Sequence, residues 1–178
     1  LLGMIVVSKL QMAALARACE AVVETCGLVT AWSSFALVLV MAGNVLLRYA
    51  FHTGSVAMQE LEWHLMAPIA LLGMSYAIQK EGHVRVDVLF ARQSWRYRET
   101  VDAISHLLVL AMAIIMVWLA LPYVEQSFVI GEKSPDPGGL THRFVLKSLI
   151  PLGFVLLGIQ ALAAMLRALL KLSGSHAD

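Results

Sequence analysis

Four stretches of the chain, residues 25–47, 63–79, 103–124 and 148–166, contain no Asp, Glu, Lys or Arg. Crossing the hydrocarbon core of a bilayer takes roughly 20 helical residues, with a range of about 17–25. All four stretches meet that requirement. The second is the shortest, and it can be lengthened at its start because Glu60, Glu62 and His64 can sit at headgroup level. The period-two alternation of a membrane β-barrel is absent, which leaves helices to satisfy every backbone group in lipid. The pattern predicts an all-α integral membrane protein with four transmembrane helices, about 25–47, 61–79, 103–124 and 148–166, in one membrane domain covering 1–178.

The arm before the first span, residues 1–24, reads differently. Lys9, Arg17, Glu20 and Glu24 interrupt its apolar character too often for a secretory signal. Arg17, Glu20 and Glu24 fall at helical spacing on one face, so the arm is either an N-terminal interfacial helix or a cytoplasmic extension of span one. Leu1 in place of Met leaves open a start at Met4 or a segment upstream.

Composition agrees with lipid as the solvent. Of the 178 residues, 60% are apolar and 14% charged, against about 25% charged in a typical soluble domain; mean hydropathy is +0.78. A net charge of +1 offers no basic face for a run of phosphates, so no nucleic-acid partner is expected. The basic residues are unevenly placed. Lys9, Arg17, Lys80, Arg85, Arg92, Arg96, Arg98, Arg167 and Lys171 share one side of the predicted topology; Arg48, Lys133, Arg143 and Lys147 share the other. The richer side is expected to face the cytoplasm, which puts both termini there. Cys19 and Cys26 form neither a zinc signature nor a disulfide framework. No metal, cofactor or catalytic residue is predicted.

The centres of the spans hold no acid or base. Their polar residues are Thr30, Ser33, Ser34, Ser75 and Gln160, with Asn44 near an end. A pump that couples a solute to an ion places ionisable groups or broken helices near the midplane. Pro68 removes one helical hydrogen bond, while Gly73 with Ala77, and Gly153 with Gly158, would let helices approach closely. A small drug exporter needs an embedded carboxylate, which span one lacks. The remaining alternative is a haem- or quinone-associated four-helix anchor of a redox complex. Its candidate ligands, His64 and His106, fall near opposite ends of their spans and cannot share one iron.

Polar residues gather instead at the span boundaries, and there the chain has a specific resemblance. Asn44-Val45-Leu46-Leu47-Arg48-Tyr49 ends span one, Met58-Gln59-Glu60-Leu61-Glu62-Trp63 opens span two, and Gly82-His83-Val84-Arg85-Val86-Asp87-Val88-Leu89 follows it. In order and spacing these resemble the small membrane subunit of tripartite ATP-independent periplasmic (TRAP) transporters, the DctQ-type family. That family's pattern has Arg-Tyr after the first span, an acidic helix start, and Gly-His-Val/Ile-Arg-Val-Asp. The loop Ser134-Pro135-Asp136-Pro137-Gly138-Gly139-Leu140, with Leu149-Ile150-Pro151-Leu152-Gly153-Phe154, is similar to a branch named for mannitol or chloroaromatic compounds. The resemblance covers residues 27–171. One departure is that Leu61 separates Glu60 and Glu62, where many members have adjacent acids; Glu60 is the closer match.

The resemblance implies a noncatalytic scaffold subunit, not an enzyme, in the bacterial cell inner membrane. Its implied partners are a large TRAP membrane subunit, which carries an organic acid or related solute with an ion, and transiently a periplasmic substrate-binding protein, besides membrane lipid. The expected subunit or helix interface residues are Arg48, Glu60, His64, His83, Arg85 and Asp87. Arg48 and Glu60, joined by a short connection, are expected to pair and fix the register of spans one and two. His64, one turn after Glu60, either joins that cluster or belongs to an interfacial polar ring. Gly82 suits a positive-φ helix end, and His83 is expected to make structural hydrogen bonds. The outer loop 126–141 either touches the binding protein or is a solvated turn held by its prolines.

Overall fold

The computed structural model describes residues 2–80 and 93–174. The described residues form helices α1 (Leu2–Phe51), α2 (Val56–Gln79), α3 (Trp95–Val129) and α4 (Arg143–Leu172), with no strand among them. All four are long and apolar enough to cross a membrane, and each expected span lies inside one of them. The chain is a multi-pass, all-α membrane protein. The Gly82–Leu89 motif, with its expected helix end at Gly82 and the candidates His83, Arg85 and Asp87, lies outside the described residues.

Local chemistry sets the helix boundaries. Ser55 and Ser94 cap α2 and α3, each side chain accepting from the backbone N–H three residues on. α3 ends in a Schellman turn. Gly131 takes φ +57°, its N–H bonds the Phe128 carbonyl at 3.1 Å, and Glu132 N–H bonds the Ser127 carbonyl at 3.0 Å.

α4 is the hub, packed against each of the other three helices and most closely against α3. Its buried face is built largely of small residues, including Gly153, Gly158, Ala161 and Ala163. At Gly153 the backbone of α2 is so near that a Cβ would stand 2.9 Å from the Leu71 carbonyl oxygen. Without a hydrophobic drive between helices in lipid, such close approach is what holds them.

α1, at 50 residues, is about 75 Å long, far beyond a core of about 30 Å. Residues 9–24 are continuous with the span and contribute to the bundle. Ala16 and Val23, two turns apart, are buried, Gln79 Nε2 donates to the Glu20 carbonyl at 2.9 Å, and Arg167 pairs with Glu20. Lys80–Glu24 and Lys171–Glu99, both at 3.2 Å, complete a ring of ion pairs at this end, where α1 begins and α4 finishes. The opposite end carries the α1–α2 connection and the α3–α4 loop. Between them the outward side chains are apolar, Trp32, Phe35, Val38, Ile114 and Trp118 among them.

Candidate functional site at the loop end

Glu60 stands in the second turn of α2, facing the α3–α4 loop. Its side chain is 12% exposed and its two oxygens take three donors. Oε1 accepts from Ser134 Oγ and from Arg143 Nη2 at 3.2 Å; Oε2 accepts from Leu140 N–H at 2.6 Å. A carboxylate has only acceptors, and here they are met by a hydroxyl, an amide and a guanidinium.

The loop is shaped to deliver those donors. Gly139 N–H bonds the Asp136 carbonyl at 3.0 Å across Pro137 and Gly138, the latter at φ +81°. Proline followed by positive-φ glycine is the requirement of a type II turn. Ser134 N–H bonds the Leu140 carbonyl at 3.0 Å, and Asp136 N–H bonds Ser134 Oγ at 3.1 Å. Gly139 must be small, because a Cβ there would stand 2.8 Å from Glu60 Oε2.

Two smaller ties flank this one. Asn44 Nδ2, on α1, donates to Glu62 Oε1 at 2.8 Å. Glu132 pairs with Lys147 and accepts from Ser127 Oγ at 2.6 Å; the Lys147 ammonium, followed by the Ser127 hydroxyl, holds the Glu132 carboxyl below the ordinary glutamate value. Lys147 also lies 4.0 Å over the Tyr123 ring.

The expected Arg48–Glu60 pair is not formed. Arg48 is exposed and makes no ion pair among the described residues, while Glu60 meets Arg143. Residues two apart on a helix differ by about 200° in direction, so Glu62 faces α1 and Glu60 faces α4 and its loop. His64 Nδ1 donates to the backbone carbonyl oxygen of Glu60 at 2.7 Å, a bond within α2 and not to the Glu60 carboxylate. Arg143, Ser134 and Lys147 were not among the expected site residues. Arg143 and Lys147 carried a signal as the two cations that open α4 opposite an acidic start of α2, and Ser134 as the first residue of the proline–glycine loop.

The arrangement fastens elements together, and both oxygens of its main carboxylate already accept from the loop or from α4. Residues 37–171 match the family model for tripartite ATP-independent periplasmic transporters, DctQ component. The chain belongs to the DctQ family. It is therefore a transporter component and not an enzyme. The match takes in α2, α3, nearly all of α4 and the whole Glu60 cluster, and leaves the first 36 residues outside it. No individually curated protein matches the chain. The redox-anchor alternative finds no support: His64 sits at the loop end of α2 and His106 toward the opposite end of α3, and among the described residues no three His, Cys, Asp or Glu are grouped to hold a metal.

Proposed function

We propose that this chain is the scaffold subunit of a TRAP secondary transporter in the bacterial inner membrane. In this reading it carries no solute itself. It holds a large membrane subunit, which takes up an organic acid or related solute with an ion gradient after delivery by a periplasmic binding protein. Both termini face the cytoplasm, and the loop end faces the periplasm.

The observation that supports this most is where the described charges lie. Acids and bases are gathered at the two ends and tied largely to one another, as Glu60 is to Arg143 and Glu20 to Arg167. The polar groups at depth, Ser75 and Gln160, are buried inside the bundle. Among the described residues no acid or base stands near the midplane, where ion and substrate sites are built. Arg48, exposed at the loop end, remains available to the large subunit.

Reconstitution tests the reading. Proteoliposomes holding this chain alone are expected to accumulate no labelled organic acid under a sodium or proton gradient. Those that also hold the large subunit and binding protein are expected to accumulate it. Uptake by this chain alone refutes the scaffold role.

A further inference from the structure

The outward face of α1 keeps its character past the point where the charge-free stretch of span one begins. Leu15, Val22 and Val29 stand seven residues apart, two helical turns, and form one row that is 50%, 47% and 50% exposed. Ala14, Ala18 and Ala21 lie beside it and are exposed as well. Val29 belongs to the stretch that crosses the membrane. Leu15 lies nine residues before Glu24, about 14 Å further along the axis.

The acids at this depth are neutralised from neighbouring helices: Glu20 by Arg167, Glu24 by Lys80 and Glu99 by Lys171. Paired charges are the form in which acids and bases are tolerated near lipid. Arg17 is exposed and makes no ion pair among the described residues; its long stem lets the guanidinium reach headgroups while the methylenes stay on apolar surface. Trp95 and Tyr97, both exposed, mark the level. They open α3 just before Glu99, whose partner Lys171 stands one turn beyond Arg167 on α4. Since Arg167 meets Glu20, the two aromatic residues are level with Leu15 to within about a turn. Such residues collect where lipid meets water.

We infer that phospholipid covers the outward face of α1 as far as Leu15, with acyl chains against Val22 and Val29 and headgroups around Arg17, Trp95 and Tyr97. The row is continuous with the lipid-facing surface of the span, which identifies lipid and not a protein as its cover. The dimensions agree. From Leu15 to Arg48 α1 rises about 50 Å, against about 40–45 Å for a bilayer with its headgroups. A tilt of about 30° closes the difference and lies within the range of membrane helices. The inference is independent of the scaffold reading, and it concerns residues that lie outside the family match.

Nitroxide labels at Leu15→Cys and Val22→Cys test it, each in a chain with Cys19→Ser and Cys26→Ser, in phospholipid vesicles with and without the large subunit. Dissolved oxygen, which concentrates in lipid, is expected to reach both labels. A water-soluble nickel chelate is expected to reach Val22→Cys about tenfold less than a label at the exposed Lys133→Cys, and Leu15→Cys to a degree between the two. In the unsubstituted chain, phospholipid carrying a diazirine in the upper part of its acyl chain is expected to mark the tryptic peptide 10–17. Chelate access at both positions equal to that at Lys133→Cys puts the face in water and overturns the inference. Loss of access to both reagents on adding the large subunit makes a protein the cover and overturns it too. So does absence of the lipid adduct from peptide 10–17.

Discussion

At Glu60 one carboxylate gathers donors from 74, 80 and 83 positions further along the chain. Removing it strands Leu140 N–H and leaves Arg143, whose side chain is 33% exposed, with a half-buried charge. Glu60→Ala is therefore expected to destabilise the bundle, seen as a lower unfolding temperature in detergent. The loop should also open, so trypsin should cut after Lys133 faster than in wild type. Equal cutting rates in both proteins refute the tie. The sequence marked Glu60 as a boundary residue and put Arg48 opposite it, because the two are close along the chain. Helical direction decided otherwise. That Glu60 and Glu62 face different ways follows from their spacing alone. Which of them faces α1 depends on how the helices are arranged around α2, and that is a property of the packing.

Among the elements, span positions were legible because charge is excluded from lipid, and each predicted span falls within a helix. The helix lengths were not legible. α1 runs 50 residues and α3 35, well past the first charges, because those charges find partners on neighbouring helices: Glu20 with Arg167, Glu99 with Lys171. Close packing was legible as small residues, without their ranking. Gly153 lies against the α2 backbone, where a Cβ would stand 2.8 Å from Leu71 Cβ and 2.9 Å from its carbonyl oxygen. At Gly158 the nearest neighbour, Ala113 Cβ, is 3.4 Å away, an ordinary van der Waals contact. Gly153→Ala is expected to cost about 1–3 kcal/mol, the usual range for overpacking, while Gly158→Ala is expected to be close to neutral. Thermal unfolding of the two variants checks the ranking, and equal losses contradict it.

For the whole molecule, the helices fix two ends and leave open which end faces which compartment. The end where α1 begins and α4 finishes carries Lys9, Arg17, Lys80, Arg96, Arg98, Arg167 and Lys171, and the connection between α2 and α3 adds Arg85 and Arg92. The loop end carries Arg48, Lys133, Arg143 and Lys147. Lys and Arg in short connections are retained on the cytoplasmic side during insertion, so the loop end should face the periplasm. Ion pairing does not remove this bias, since insertion precedes assembly of the bundle. The test uses a chain with Cys19 and Cys26 replaced by serine and one new cysteine, either Lys133→Cys in the α3–α4 loop or Arg96→Cys at the start of α3. Both positions are exposed. A membrane-impermeant maleimide added to cells with a permeabilised outer membrane is expected to label the first, and to reach the second only after the inner membrane is broken. The reverse pattern inverts the orientation. It would also carry the Glu60 cluster into the cytoplasm, out of reach of any periplasmic binding protein.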